Sequence, residues 1–137
     1  MRTSTAYVVA VLVGVLACVP AVAQMTRAGG MDPITPTVTS PLEGSFVGPR
    51  VDVEGWARPG QLVVITTACY HALTGEYVGL VPGIRHYPNA DGSFHFRVAT
   101  PRISIGERAP LRYELRVYTM AGGRESAPEI VTLYQAR

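Results

Sequence analysis

Apolar side chains recur at every second position of this chain, in short runs separated by glycine and proline. The clearest runs are 51–57, 94–98 and 111–117, where polar residues occupy most of the intervening positions. Successive side chains of an extended strand point to opposite faces, so a period of two predicts strands that are buried on one face. Beyond residue 23 no stretch has the period of a helix. We therefore predict an all-β fold.

The continuous run 62–70 is rich in β-branched and apolar residues and predicts a central strand. A weaker strand is predicted over 76–81, followed by a long connection over 82–88. Residues 34–38 lie among prolines, which cannot donate to a central ladder, so this segment is predicted to be an edge strand or an irregular first strand. With a last strand at 130–134, the pattern predicts an antiparallel β-sandwich of about seven strands. The turn signals are Gly44-Ser45, Gly48-Pro49, Pro59-Gly60, Asp91-Gly92 and Gly122-Gly123.

The first 23 residues have the pattern of a signal peptide. Arg2 precedes an apolar run over 6–19, and Ala21-Val22-Ala23 offers the small residues that a signal peptidase accepts. The run is shorter than the roughly 20 residues of a membrane-spanning helix, which disfavours an uncleaved anchor. We expect a signal peptide at 1–23, a flexible lead-in at 24–33 and one domain at 34–137, in a secreted, periplasmic or cell-surface protein.

The two cysteines leave one alternative for processing. Val15-Leu16-Ala17-Cys18 resembles the lipobox of bacterial lipoproteins, in which case the protein would be anchored to a membrane through an acylated Cys18. Cleavage after Ala23 instead leaves Cys69 alone, so that no disulfide could form within the chain. Cys69 shares a strand face with Val63, Ile65 and Thr67, which favours a buried thiol over an intermolecular bridge.

The charge of the chain argues against a nucleic-acid partner. Its formal net charge is +2. All of the basic residues are arginine, and they are interleaved with acids rather than gathered in a stripe. A nucleic-acid interface would need a basic patch.

The order of several short motifs is that of a known family. The residues that carry the likeness are Pro41, Gly44-Ser45, Val47, Val51, Val53, Gly55, Ala57, Pro59-Gly60, Val63, Ala90-Asp91-Gly92-Ser93-Phe94, Phe96, Leu111, Tyr113, Leu115, Val117, Gly123, Glu125-Ser126 and Pro128. Over about Ile34 to Leu133 the chain resembles bacterial immunoglobulin-like domains, with a likeness to fibronectin type III domains toward its C-terminus.

The resemblance implies an immunoglobulin-like sandwich with structural roles for Tyr113, Gly60 and Gly92. Tyr113 falls where such sandwiches carry a corner tyrosine, whose hydroxyl bonds back to the preceding loop. Gly60 and Gly92 fall in turns. Two features depart from the family: a single copy in a short chain, and a segment over 70–88 that is longer and more aromatic than the pattern needs.

Aromatic side chains are the main candidates for binding. Exposed rings can stack on sugars or anchor a protein partner, since they combine a large apolar area with a polar tip. The ordinary interpretation is that tyrosine is common in strands and that the tryptophan covers a sandwich edge. The candidate binding residues are Trp56, Tyr70, His71, Tyr77, His86 and Tyr87.

Catalytic and metal chemistry have little support. His71, His86 and His95 are irregularly spaced, and no acid recurs at ligand spacing. The chain contains no Gly-x-Ser-x-Gly elbow, and no pair of catalytic carboxylates can be singled out. We expect no cofactor and no enzymatic activity. The sequence favours a non-catalytic module for protein or surface interaction; the alternative is a small carbohydrate-binding module.

Overall fold

In the computed structural model, residues 32–102 and 110–137 are described. The predicted signal peptide, with the alternative lipobox cysteine Cys18, and residues 24–31 of the predicted lead-in lie outside these ranges. The described residues contain nine strands and no helix, and hence none that could cross a membrane. The strands are β1 (Thr37–Ser40), β2 (Phe46–Val47), β3 (Arg50–Trp56), β4 (Leu62–His71), β5 (Tyr77–His86), β6 (Ser93–Ala99), β7 (Leu111–Ala121), β8 (Arg124–Glu125) and β9 (Glu129–Gln135).

The nine strands form two sheets, which confirms the prediction of an all-β sandwich. The smaller sheet has the order β1-β3-β6, and the larger has the order β2-β9-β7-β4-β5, with β8 paired to β7. Every pairing is antiparallel except that of β2 with β9. About seven strands were expected; the two further strands, β2 and β8, have only two residues each.

The core lies between the sheets and is built from alternate residues of each strand. Val53 of the smaller sheet and Leu115 and Val117 of the larger are at most 1% exposed. Full burial of such a side chain stabilises the fold by about 1.5–3 kcal/mol. Cys69 is a free, buried thiol of this core, as predicted, and its burial raises the pKa of the thiol.

The prediction that 82–88 is a connection was wrong, since β5 continues through Pro82 to His86. Pro82 lies where the pairing of β5 with β4 shifts register, between the pairs at Val81 and Ile84. β5 is also the last strand of its sheet, so a missing N–H costs no ladder hydrogen bond on the free side. Edge position and bulge together allow proline inside this strand.

Two buried polar side chains fix the segment that leads into β1. The Gln61 side chain accepts a hydrogen bond from the Ile34 amide at 3.0 Å and donates one to the Asp32 carbonyl at 3.0 Å. The Thr119 hydroxyl donates to the Ile34 carbonyl at 2.7 Å. The chain therefore enters the sandwich at the end where β4 begins and β7 ends.

Gly60 and Gly92 both lie in turns with a left-handed backbone, at φ values of 85° and 91°. A side chain strains either position because L residues disfavour this region. A Cβ on Gly92 would also lie 2.6 Å from the Ala57 carbonyl oxygen, whereas a Cβ on Gly60 would meet nothing within 4 Å. Gly92 is therefore required for close approach as well as for its turn.

Tyr113 ties the start of β7 to the loop before it. Its side chain is fully buried, and its hydroxyl donates a hydrogen bond to the Pro101 carbonyl at 2.8 Å. Burial raises the pKa of Tyr113 to about 12. The folded protein therefore holds this phenol neutral at pH values where the unfolded chain would ionise it.

Replacing Tyr113 with phenylalanine should lower the free energy of unfolding by about 0.5–1.5 kcal/mol at neutral pH, because the Pro101 carbonyl loses its donor. Between pH 10 and 12 the unfolded wild type binds fewer protons than the folded protein, so its stability falls as the pH rises. The difference between wild type and Tyr113→Phe should therefore shrink over this interval. Urea unfolding at several pH values measures it, and a difference that is constant to pH 12 would contradict the assignment.

Thr67 offers a test in which a substitution should stabilise the protein. Its hydroxyl is buried in the core and has no hydrogen-bond partner among the described residues. Thr67→Val keeps the branched shape and removes the polar atom, so it should raise the free energy of unfolding by about 1–2 kcal/mol. Thr119→Val is the matched control, since that buried hydroxyl is bonded to Ile34 and its loss should destabilise the protein. Equal changes in the free energy of unfolding for Thr67→Val and Thr119→Val would contradict this expectation.

Candidate functional site

Five side chains form a row across the outer face of the larger sheet, one from each strand of its main path. The pairings place Phe46 beside Tyr134, Tyr134 opposite Arg112, Arg112 opposite Tyr70, and Tyr70 opposite Tyr77. Directly paired residues point to the same face of a sheet. We call these five residues the ring row.

The members of the ring row contact one another at its two ends. The rings of Phe46 and Tyr134 have centroids 5.8 Å apart, and those of Tyr70 and Tyr77 meet edge to face at 5.6 Å. The guanidinium carbon of Arg112 lies 4.7 Å from the centre of the Tyr70 ring. A cation over a ring face is stabilised by about 0.5–1 kcal/mol at exposed sites. The row thus consists of two contacting groups, Phe46 with Tyr134 and Arg112 with Tyr70 and Tyr77, which the pairing of β7 with β9 aligns.

Glu114, two residues after Arg112 and on the same face of β7, anchors the centre of the row. Its carboxylate accepts a hydrogen bond from the Tyr70 hydroxyl at 3.4 Å. Its two oxygens also accept from Arg112 at 3.4 Å and from Arg116 at 3.2 Å. The Arg112 and Glu114 side chains are about a quarter and a fifth exposed, so this pair is partly shielded from water. These contacts restrict the rotamers of Tyr70 and Arg112.

The ends of the ring row and the surface beside it are strongly exposed and apolar. Phe46 is 74% exposed and Tyr77 56%. Leu80, paired with Ala68, and Ile130, paired with Arg116, point to the same outer face and are about half exposed. Large apolar side chains clustered on one sheet face mark an interaction surface more often than scattered ones do.

The candidate binding residues from the sequence lie at several places. Tyr70 and Tyr77 belong to the ring row, whereas Trp56 is on the outer face of the smaller sheet, on the opposite side of the sandwich. His86 stacks on Phe96 at 5.5 Å, and Tyr87 is exposed in the connection after β5.

His71 lies apart from His86. His71 is at the C-terminal end of β4, whereas His86 pairs with Val63 near the start of that strand. Eight residues of extended strand separate positions 63 and 71, which is about 26 Å. The two imidazoles therefore cannot share one ligand.

Sequence reasoning missed Phe46, Tyr134 and Arg112. Each belongs to a different strand, and two of those strands are more than 60 residues from β2 in sequence. No spacing within one segment signals that they are neighbours. The period of two could place Tyr134 and Arg112 on outer faces, but only the pairing of strands reveals that they are adjacent.

A second polar group lies on the outer face of the smaller sheet. One oxygen of Asp52 accepts from Arg97 Nε at 3.0 Å and lies 3.2 Å from His95 Nε2. The hydrogen bond from Arg97 lowers the pKa of Asp52 below its ordinary value. Within residues 32–102 and 110–137, no three histidine, cysteine or acidic side chains are placed to hold a metal ion.

A cavity of about 280 Å³ opens beside Cys69. Its lining is apolar and includes Val78, Leu80 and Leu111. Burial raises the pKa of the Cys69 thiol, and no described polar side chain lines the cavity.

Comparison with known proteins gives no relative for this site. No family model matches the chain, and no curated protein and no solved structure is significantly similar to it. The chemistry of the described residues therefore carries the functional argument.

Tyr70 and Arg112 should be energetically coupled. In a double-mutant cycle of Tyr70→Leu and Arg112→Gln, we expect a coupling free energy of about 0.5–1 kcal/mol from the cation over the ring and the shared carboxylate. Urea unfolding of the four proteins provides the measurement. The pair Trp56→Leu and Arg112→Gln is the control, since these residues lie on opposite faces and should be additive. Additivity of the first pair would show that the row is not held together.

Proposed function

We propose that this chain is an exported, non-catalytic immunoglobulin-like module that binds a protein partner through the ring row. Export is inferred from the pattern of the first 23 residues. Three features support the immunoglobulin-like assignment. The first strand is divided between the sheets as β1 and β2, β2 runs parallel to β9, and Tyr113 bonds back from the start of β7 to the preceding loop.

The observation that carries the proposed binding function is the continuity of the ring row across five strands. Tyrosine and arginine are enriched among the residues that dominate binding energy at protein interfaces. Phe46 and Tyr77 present apolar area to solvent, while Arg112 and Glu114 supply hydrogen-bonding groups between them. Held rotamers reduce the conformational entropy that is lost when a partner binds.

The aliphatic neighbours of the row favour a protein over a sugar. Leu80 and Ile130 extend the apolar surface to either side of Glu114 on the same face. Sugar-binding sites use aromatic ring faces and hydrogen-bonding groups. Branched aliphatic side chains instead pack well against the side chains of another protein. The composition of this face therefore resembles a protein interface with an apolar centre.

A carbohydrate-binding module is the second candidate, and one observation favours it. The three tyrosines of the row lie on a sheet face beside the Glu114 carboxylate, which could accept hydrogen bonds from sugar hydroxyls. Trp56 cannot take part in such a site, because it lies on the opposite side of the sandwich. A glycan would therefore be recognised by Tyr70, Tyr77 and Tyr134.

Site-specific crosslinking tests the proposal. A photoreactive residue at Phe46, in the exported protein of the native cell, should give a covalent adduct with one partner protein. The same photoreactive residue at Trp56, a large apolar side chain that is likewise exposed, is the matched control and should give none. The purified partner should bind Tyr77→Ser at least about tenfold more weakly than wild type, since 1.4 kcal/mol of lost contact corresponds to a factor of ten.

Two results would overturn the proposal. Adducts from position 56 without adducts from position 46 would place the interface on the other sheet. A glycan that binds wild type and Trp56→Ala equally, but not Tyr77→Ser, would favour the second candidate.

A further inference from the structure

Apart from the two-residue β8, four strands form the free edges of the two sheets among residues 32–102 and 110–137, and three of them carry features that prevent further pairing. β1 has four residues and a register shift, and β2 has only two residues. β5 has two register shifts and contains Pro82. Short length, bulges and proline are the usual protections of a sheet edge. The fourth edge is β6.

β6 is regular along its whole length. It makes seven consecutive pairs with β3, from Ser93 to Ala99, and contains no proline and no register shift. The smaller sheet ends there, with three strands against five in the main path of the larger sheet. A fourth strand would therefore find a regular backbone template beside β6.

The hydrogen bonds at the two ends of the β3–β6 pair show which groups face this edge. The Ala57 amide donates to the Gly92 carbonyl at 2.8 Å, and the Thr100 amide donates to the Pro49 carbonyl at 2.9 Å. In an antiparallel pair every second residue bonds across the ladder. The even-numbered residues of β6 therefore bond to β3.

The odd-numbered residues of β6 point their backbone groups away from β3. They are His95, Arg97 and Ala99, with Ser93 already bonded through its amide to Asp91 and through its carbonyl to Asn89. His95, Arg97 and Ala99 are all exposed. Three N–H groups and three carbonyl groups are thus directed along one edge, as in proteins that bind an extended peptide by adding a strand.

The core-facing side chains at the β6 edge are only partly shielded from solvent. Phe96 of β6 and Val81 and Ile84 of β5 pack against the core but remain partly exposed. The stacking of His86 on Phe96 shows that β5 and β6 border the same side of the sandwich. An added strand would place alternate side chains over this apolar opening.

We propose that the β6 edge binds an extended segment of a partner protein in which apolar and acidic side chains alternate. Its apolar side chains pack on Phe96 and Ile84. Its acidic side chains lie on the outer face, beside Arg97 and His95. Only Nε among the N–H groups of Arg97 has an acceptor among the described residues, so further guanidinium donors face solvent.

A second copy of β6 fits this edge less well. An antiparallel pair of β6 strands centred on Phe96 brings Arg97 of each copy against His95 of the other. β6 itself contains no acid, and the neighbouring Asp52 accepts only from Nε of Arg97 and lies 3.2 Å from His95 Nε2. A partner strand with carboxylates supplies acceptors for the remaining guanidinium N–H groups of Arg97, which a second β6 does not.

Hydrogen exchange with a model peptide tests the proposal on the mature protein. The probe is a capped peptide of seven residues that alternates glutamate and valine. In the free protein the amides of His95, Arg97 and Ala99 should exchange rapidly, whereas those of Phe94, Phe96 and Val98 should be protected. Saturating peptide should slow the first three by at least about tenfold, as expected for amides that enter a ladder.

Substitutions distinguish peptide binding at the β6 edge from binding at the ring row. Arg97→Pro removes an N–H that faces the edge, and Arg97→Gln removes the charge alone; both should weaken peptide binding, the proline by at least about tenfold. Tyr77→Ser, on the larger sheet, should bind the peptide like wild type. A peptide with lysine in place of glutamate should bind more weakly.

Three results would overturn the proposal. Each result counts only for a protein that thermal unfolding shows to be folded. The three results are protection of the three edge amides in the free monomer, no change in their exchange with peptide, and equal binding of the lysine peptide. Dimerisation that protects the same amides without peptide would assign the edge to a second copy. Failure of the crosslinking at Phe46 leaves these outcomes unchanged, so the two proposals fail separately.

Discussion

The register of the larger sheet is the constraint on which the rest of this structure depends. Burial fixes it, because Ile65, Leu115 and Leu133 must all face the smaller sheet. A slip of one residue in any strand would turn its apolar side chains toward water and its outer side chains toward the core. The same register sets Tyr134, Arg112, Tyr70 and Tyr77 in line on the other face. The alignment of the ring row on the outer face therefore follows from the packing of the core.

The sandwich combines buried hydrogen bonds that fix its connections with two surfaces that expose apolar area or unpaired backbone groups. Gln61, Thr119 and Tyr113 use buried hydrogen bonds to fix connections to the strands. By contrast, Phe46 and Tyr77 leave large apolar areas in water, and β6 leaves backbone groups unpaired among the described residues. A scaffold that is fully determined inside can hold such surfaces in a fixed geometry, which is what binding without induced folding requires.

The two proposed surfaces differ in the physics of recognition. The ring row would bind through side chains, so its specificity depends on the shape and polarity of the partner. The β6 edge would bind through backbone hydrogen bonds, with Arg97 and Phe96 selecting alternate side chains of the added strand. They lie on different sheets, and the chain enters the described sandwich near Gln61, at the end remote from Tyr70 and Tyr77.

The sequence by itself determined the strand-forming character of the chain, the buried position of Cys69 and the need for glycine in the turn at Gly92. These follow from local physics: a period of two, β-branched residues and backbone conformations that only glycine adopts easily. It named Tyr70 and Tyr77 as candidate binding residues but could not join them to Phe46, Tyr134 or Arg112, and it ended the strand β5 before Pro82. Those facts depend on which strands are neighbours and which strand is an edge. Only the tertiary structure decides this, because hydrogen bonds between strands far apart in sequence leave no periodic trace within any one of them.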